Sequence, residues 1–165
     1  MYPRLFLAFT YLCLLQLTFS YHEWRSCPTF WTAFEGHCYR FFKDKSNWTS
    51  AEAHCRLFGA SDGFGMAHLV SLHSAKEEEF VLEFWERSTC NPVQLWLGIN
   101  DRGTEGAFQW SDFTDVDYTN WAPSEPNNSG SNEDHGALYF SSKLWNDLNT
   151  RDLDFVCKMP RSYYT

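Results

Sequence analysis

Apolar positions recur with two periods along the chain, and the change of period divides it into elements. Residues 31–34 and 37–42 are aromatic runs split by Glu35-Gly36, a turn pair. They predict the two strands of a hairpin. Trp48, Ala51, Cys55 and Phe58 follow at intervals of three and four, which puts them on one stripe of a helix. Ser46 or Asn47 suits its start and Gly59 its end. Residues 68–72 predict a short strand. A second helix opens at Ser74-Ala75-Lys76-Glu77, the S-x-x-E form of a capping box, with acids where the helix dipole favours them. Phe80, Val81, Phe84 and Trp85 make its apolar face.

The second half changes character. Residues 95–99 are continuously apolar and predict a buried strand. Residues 100–134 are rich in Gly, Asn, Asp, Ser and Pro and lack a period, apart from a strand expected at 108–111. A stretch of that length inside a domain is either functional or disordered. Trp110, Tyr118 and Trp121 within it imply order. Residues 137–140, 144–148 and 155–158 predict three late strands. The expected class is α+β: a hairpin, two helices, small antiparallel sheets and a long loop.

Residues 1–20 stand apart. Arg4 precedes an apolar run over 5–17 that is short for a membrane span, and Thr18-Phe19-Ser20 places small residues at −3 and −1 of a cleavage point. This is the pattern of a secretory signal peptide, followed by one domain over 21–165 and an extracellular destination. No apolar run beyond residue 20 approaches a membrane span. With 8 Trp, 8 Tyr and 15 Phe in 165 residues, the chain is too rich in bulky apolar groups to be disordered. A net charge of −8 excludes a nucleic-acid partner, which needs a basic face. It favours cations or neutral partners.

Six cysteines occur, at 13, 27, 38, 55, 90 and 157. Cys13 leaves with the signal peptide. The other five, in an oxidising compartment, favour disulfides over metal thiolates, and an odd number leaves one without a partner in the chain. Cys27 and Cys38 flank the hairpin turn, a spacing that suits a staple. A Cys55–Cys157 bridge would tie the first helix to the last strand and constrain the unfolded chain by about 4–5 kcal/mol in the entropy model. Cys90 is then a buried free thiol or an interchain bridge. Its polar neighbours Ser88, Thr89, Asn91 and Pro92 favour the second, a disulfide-linked homodimer.

Hard oxygen ligands gather late in the chain: Asp101, Glu105, Glu125, Asn127, Glu133, Asp134, Asn146 and Asp147. Calcium takes six to eight such oxygens, whereas zinc would want His and Cys, and no H-E-x-x-H occurs. By composition alone these are ordinary loop acids. Their order changes the reading. Glu125-Pro126-Asn127, then Glu133-Asp134, then Trp145-Asn146-Asp147 resembles the calcium-dependent carbohydrate-recognition domain of the C-type lectin family. Trp96-Leu97-Gly98-Ile99 resembles its core strand, and Cys27, Cys38, Cys55 and Cys157 match its two bridges in the long form. The resemblance runs from Cys27 to about Met159.

The resemblance implies a principal calcium site at Glu125, Asn127, Glu133, Asn146 and Asp147, the last through side chain and backbone carbonyl. Two adjacent sugar hydroxyls would complete that site, and the same side chains would hydrogen-bond them. E-P-N implies mannose-type sugars (mannose, N-acetylglucosamine, glucose, with fucose also fitting), whereas Q-P-D accompanies galactose. Pro126 is expected to be cis. An auxiliary calcium site would use Asp101, Glu105, Asn128 and Asp134, with Asn128 where an Asp is usual. His135 and Thr150 stand where the family commonly has a further disulfide, so a looser loop is expected without calcium. Single-sugar sites bind weakly, near millimolar, and avidity needs several of them.

Other signals are smaller. Asn47-Trp48-Thr49 is a glycosylation sequon, and Asn127-Asn128-Ser129 also matches, on a proposed ligand. His68 and His73 read as structural. No Ser/His/Asp or Cys/His catalytic pattern emerges, so an enzyme is not expected. The alternative function is a non-sugar protein on the same fold, such as a biomineral matrix, ice-binding or protein-binding protein.

Overall fold

Strand β8 (Leu153–Pro160) is buried at every position from 153 to 159 and forms the spine of the sheet. The structure, a computed structural model, describes residues 26–59 and 65–161. The expected signal peptide and Cys13 lie outside these residues. On one side β8 runs antiparallel to β2 (His37–Ser46), which pairs with β1 (Thr32–Phe34) around the Glu35-Gly36 turn. On the other side it pairs with the short β3 (His68–Leu69) near its end and runs parallel to β4 (Gln94–Asn100) near its start. Strand β4 then pairs with β5 (Gln109–Trp110) and β6 (His135–Tyr139), and β6 with β7 (Trp145–Leu148). The small sheets read from the sequence are thus joined into one eight-stranded system, with β4 and β8 as its parallel seam.

The continuous apolar run of β4 follows from burial on both faces. Trp96 points into a cluster with Trp48, Ala51, Cys55, Leu69 and Phe155, under helix α1 (Trp48–Cys55). Leu95, Leu97 and Ile99 point the other way, to Val81, Trp85, Trp110, Leu138 and Trp145, under helix α2 (Ala75–Ser88). Gly98 sits where neighbouring segments pass close by on both sides. Its N–H bonds Val70 O at 2.9 Å and its carbonyl accepts from Ser111 N at 2.9 Å. A Cβ there would lie 2.7 Å from Leu69 O.

Helix α1 ends earlier than its apolar stripe implies. After Cys55 the chain tightens through Leu57 N–His54 O and Phe58 N–Cys55 O bonds and turns at Gly59, with φ +98°. Phe58 still packs on this core from the turn. Asn47 caps α1, its side-chain oxygen accepting from Ser50 N. Ser74 caps α2 by accepting from Glu77 N at 3.1 Å. The second half of the expected capping box is absent. The Glu77 carboxylate instead accepts from His73 N at 2.8 Å and from Tyr39 OH and Lys158 Nζ, each at 2.5 Å. Strand β3 also stops short of the expected 68–72, because Val70 and beyond turn to bond β4 and β8 singly.

Cys27–Cys38 and Cys55–Cys157 are disulfides, the second closing a separation of 102 residues. Both lie at the α1-side core. Cys90 is a free, exposed thiol just beyond α2.

Candidate calcium and sugar site

The long segment is ordered around one side chain. Trp145, fully buried at the start of β7, has Trp110, Tyr118 and Trp121 against it, with ring centroids 5.6–5.8 Å away. The backbone is zipped to the same residue: Trp145 N donates to Asn120 O at 2.9 Å, and Ala122 N to Trp145 O at 2.8 Å. Beneath lies Glu78 of α2, 5% exposed. Its carboxylate accepts from Trp145 Nε1 (2.5 Å), Tyr118 OH (2.6 Å) and Asn120 Nδ2 (2.9 Å). The sequence offered Glu78 only as an acid suited to the helix dipole.

The tip of the loop is built on this base. Glu125 N donates to Ala122 O at 2.9 Å, and the Glu125–Pro126 peptide is cis. The Asp147 carboxylate accepts from Asn127 N at 3.0 and 3.1 Å and from Asn128 N at 2.7 Å. Glu133 accepts from Ser129 N at 2.8 Å and donates its own N–H to Asn128 Oδ1 at 3.1 Å. Asn128 takes the left-handed conformation, φ 45°, which asparagine tolerates better than most residues. Glu125, Asn127, Glu133 and Asp147 therefore meet at one tip, with Asn146 beside Asp147 on β7.

The electrostatics of that tip are unfavourable as they stand. Burial pushes the Glu125 carboxyl above its ordinary range, and its hydrogen bond to Asp147 and the charges of Asp147 and Glu133 push the same way. Glu125 Oε2 and Asn146 Oδ1 are buried with no hydrogen-bond partner. Buried polar atoms are ordinarily satisfied, so two orphaned oxygens beside crowded carboxylates call for a cation. Among the described residues, no three His, Cys, Asp or Glu side chains cage an ion by themselves. A cation here would therefore need amide oxygens as well, and Asn146 Oδ1 is one that no hydrogen bond occupies. Such an all-oxygen set with mixed carboxylates and amides fits calcium.

The auxiliary group is less assembled. Asp101 is 2% exposed; its Oδ2 accepts from Gly106 N at 2.8 Å and its Oδ1 is a further orphan. Its N–H bonds Asp134 O at 3.2 Å, which brings those two residues together. Glu105 is exposed on the intervening turn, and Asn128 Oδ1 is engaged by Glu133 N.

The remaining residues singled out by sequence have structural employment. His68 pairs with Glu52 at 2.7 Å. His135, expected where a disulfide cysteine would stand, is buried against Trp48 and Trp96, with ring centroids 4.8 and 5.9 Å away. Neither of its ring nitrogens makes a well-formed hydrogen bond, and burial, helped by Arg102, lowers it to about 4. Ser71, His73 and Asp117 do come together, which the sequence did not lead one to expect: His73 Nε2 lies 3.2 Å from Ser71 Oγ, and His73 Nδ1 lies 2.7 Å from Asp117 Oδ1. Ser71 is fully buried, donates to Asp112 at 2.6 Å and accepts from Lys158 at 3.2 Å, so no substrate reaches it. The His73–Asp117 contact ties the long segment to the entry of α2.

Comparison with known proteins gives the family of the fold. The family described as "Lectin C-type domain" matches residues 44–159. Echinoidin of Heliocidaris crassispina is 43% identical over 81% of this chain and 97% of its own. The alpha-N-acetylgalactosamine-specific lectin of Patiria pectinifera is 37% identical over 83% of this chain and 84% of its own. Among solved structures, the C-type lectin CEL-I of Cucumaria echinata matches with a TM-score of 0.79 at 35% identity, covering 84% of this chain and all of that one. The chain belongs to the C-type lectin family, whose members are carbohydrate-binding, generally calcium-binding and non-enzymatic.

Proposed function

We propose that this chain is a secreted, calcium-dependent lectin for mannose-type glycans, acting in recognition of microbial or other cell-surface sugars. The observation that carries the reading is the pair of buried, unpartnered oxygens, Glu125 Oε2 and Asn146 Oδ1, beside the Asp147 carboxylate. Glu125, Asn127, Glu133, Asn146 and Asp147 hold the ion and present it upward. When bound, calcium supplies a Lewis-acidic seat for two adjacent sugar hydroxyls. The chain's own side chains do the selecting: carboxylates accept from those hydroxyls and amides donate to them. With Glu125 before the cis peptide and Asn127 after it, the acceptor-to-donor direction is that of mannose-type sugars. Asp101, Glu105, Asn128 and Asp134 form an auxiliary site that orders the loop. The exposed Cys90 joins two copies and so supplies the second sugar site that weak monovalent binding needs. Asn47 is proposed as a glycan acceptor.

The test is retention of the oxidised protein on mannose-agarose in calcium buffer, with EDTA elution and with galactose and N-acetylgalactosamine resins beside it. Retention on mannose released by EDTA is expected. Retention on N-acetylgalactosamine alone, the sugar named for the Patiria lectin, overturns the mannose assignment and leaves the calcium site. Folded protein that binds no glycan on a dense array overturns the lectin reading in favour of a mineral- or protein-binding role. Binding should weaken as pH falls, since protons compete with calcium for the carboxylates. A second test is a non-reducing gel, on which a dimer band lost in Cys90→Ser is expected.

A further inference from the structure

We infer that Glu78 is the positioning residue of the calcium site: from α2, outside the loop, it holds both halves of the ligand set in register. The inference rests on the calcium reading above. The ligands arrive on two separate pieces of chain. Glu125 and Asn127 come on the segment that follows Tyr118-Thr119-Asn120, and Asn146 and Asp147 come on β7 immediately after Trp145. Glu78 bonds both pieces. One oxygen accepts from Trp145 Nε1, directly before the Asn146-Asp147 pair. The other accepts from Tyr118 OH and Asn120 Nδ2, directly before the tip.

Short bonded paths lead from there to the ligands. Asn120 Nδ2 also donates to Lys143 O at 2.9 Å, and Asn120 O receives Trp145 N. Ala122 N then bonds Trp145 O, and Ala122 O receives Glu125 N at 2.9 Å. On the β7 side, Asp147 gathers the N–H groups of Asn127 and Asn128. A buried carboxylate with three donors is a rigid anchor, because each donor that leaves it exposes a desolvated charge. In Gln at this position the amide nitrogen replaces one acceptor and faces a donor. The two pieces of chain would then lose their common reference.

The test compares wild type, Glu78→Gln, Tyr118→Phe and Ala51→Gly. The last is a control that loosens the opposite core without touching the loop. Calcium affinity is read by titration calorimetry on folded, oxidised protein, and the Trp145 indole N–H by NMR in calcium-free buffer. Expected is a loss of calcium affinity of about 10-fold in Glu78→Gln, the low end of the range for groups bonded directly to metal ligands, because Glu78 bonds the residues before them. Tyr118→Phe should lose several-fold. Sugar affinity at saturating calcium should stay within about twofold of wild type, since the ion then holds the loop, and Ala51→Gly should bind calcium normally. The Trp145 indole resonance should move upfield in Glu78→Gln. If Glu78→Gln does not fold, Tyr118→Phe carries the test. Wild type that binds calcium, with variants that bind it equally, overturns the inference alone. Wild type that binds no calcium overturns the calcium reading and this inference with it.

Discussion

Glu77 is buried and Glu125 half-buried, and the two carboxylates are in opposite condition. Glu77, on the frame, is saturated. Tyr39, His73 and Lys158 all point to it. Burial acts to raise its pKa, but the Lys158 charge and the hydrogen bonds win, and the net shift is downward. Glu125, at the loop tip, is under-supplied: one oxygen has no partner, and the Asn127 hydrogen bond is outweighed by partial burial and by its acidic neighbours Asp147 and Glu133. The frame completes its own charges from within the fold. The tip leaves its charges to be completed from outside. That contrast separates a structural carboxylate from a ligand, although both read as Glu in an acidic stretch.

Breaking the frame side should have the largest effect on stability. Glu77→Gln leaves the Lys158 ammonium, 5% exposed, facing a neutral amide, and should cost about 3–5 kcal/mol in urea unfolding. Lys158→Met in the same chain should recover much of that loss, since removing both charges leaves neither uncompensated. Breaking the tip side should act on binding. Asp147→Asn should lower calcium affinity by more than about 100-fold, beyond what partners behind a ligand contribute. Calorimetry showing wild-type affinity in Asp147→Asn would place the ion elsewhere.

The sharpest comparison is in the sign of the pH dependence without calcium. For Glu77, whose folded pKa lies below its unfolded value, the stabilising contribution is present above the ordinary value of 4.5 and is lost as pH falls through the folded pKa. For Glu125 the folded pKa lies above 4.5. Between those two values the folded state binds more protons, so this group makes stability fall as pH rises through that window. In EDTA, Glu125→Gln should therefore have a higher Tm than wild type at neutral pH, and the difference should close on acidification. A Tm lowered equally at all pH values would mean that Glu125 serves packing, not an ion.

Much of the frame was legible in the sequence because period carries it. The helices and late strands followed from spacing, and the double-faced burial of β4 from its unbroken apolar run. Side-chain networks between distant elements carry no such period. Glu77 fits a capping box perfectly well, and nothing local says that Tyr39 and Lys158 claim it instead. Ser71, His73 and Asp117 are scattered residues until the long segment folds back over the entry of α2. The proposed ligand set was legible only through the order of E-P-N, Glu133 and W-N-D in a resembled family. Local chemistry offers no reason to single out these acids. Glu78 was invisible as an anchor because its three donors, Tyr118, Asn120 and Trp145, lie far along the chain.

The smallest effect is expected at Asn47, which has two possible employments on different atoms. Its Oδ1 caps α1 by accepting from Ser50 N at 2.9 Å. A glycan would be attached to Nδ2, so modification and capping are compatible. Asn47→Asp keeps the cap and removes the acceptor nitrogen; Asn47→Ala removes both. In protein secreted from eukaryotic cells, wild type should lose mass on treatment with an N-glycosidase, and neither variant should. In glycan-free protein, Asn47→Ala should be destabilised by about 1 kcal/mol and Asn47→Asp by much less. Wild type without a mass change, combined with that same stability order, would assign Asn47 to capping alone. Equal stability of the two variants would remove the cap from the argument and leave the glycan as the reason for the residue.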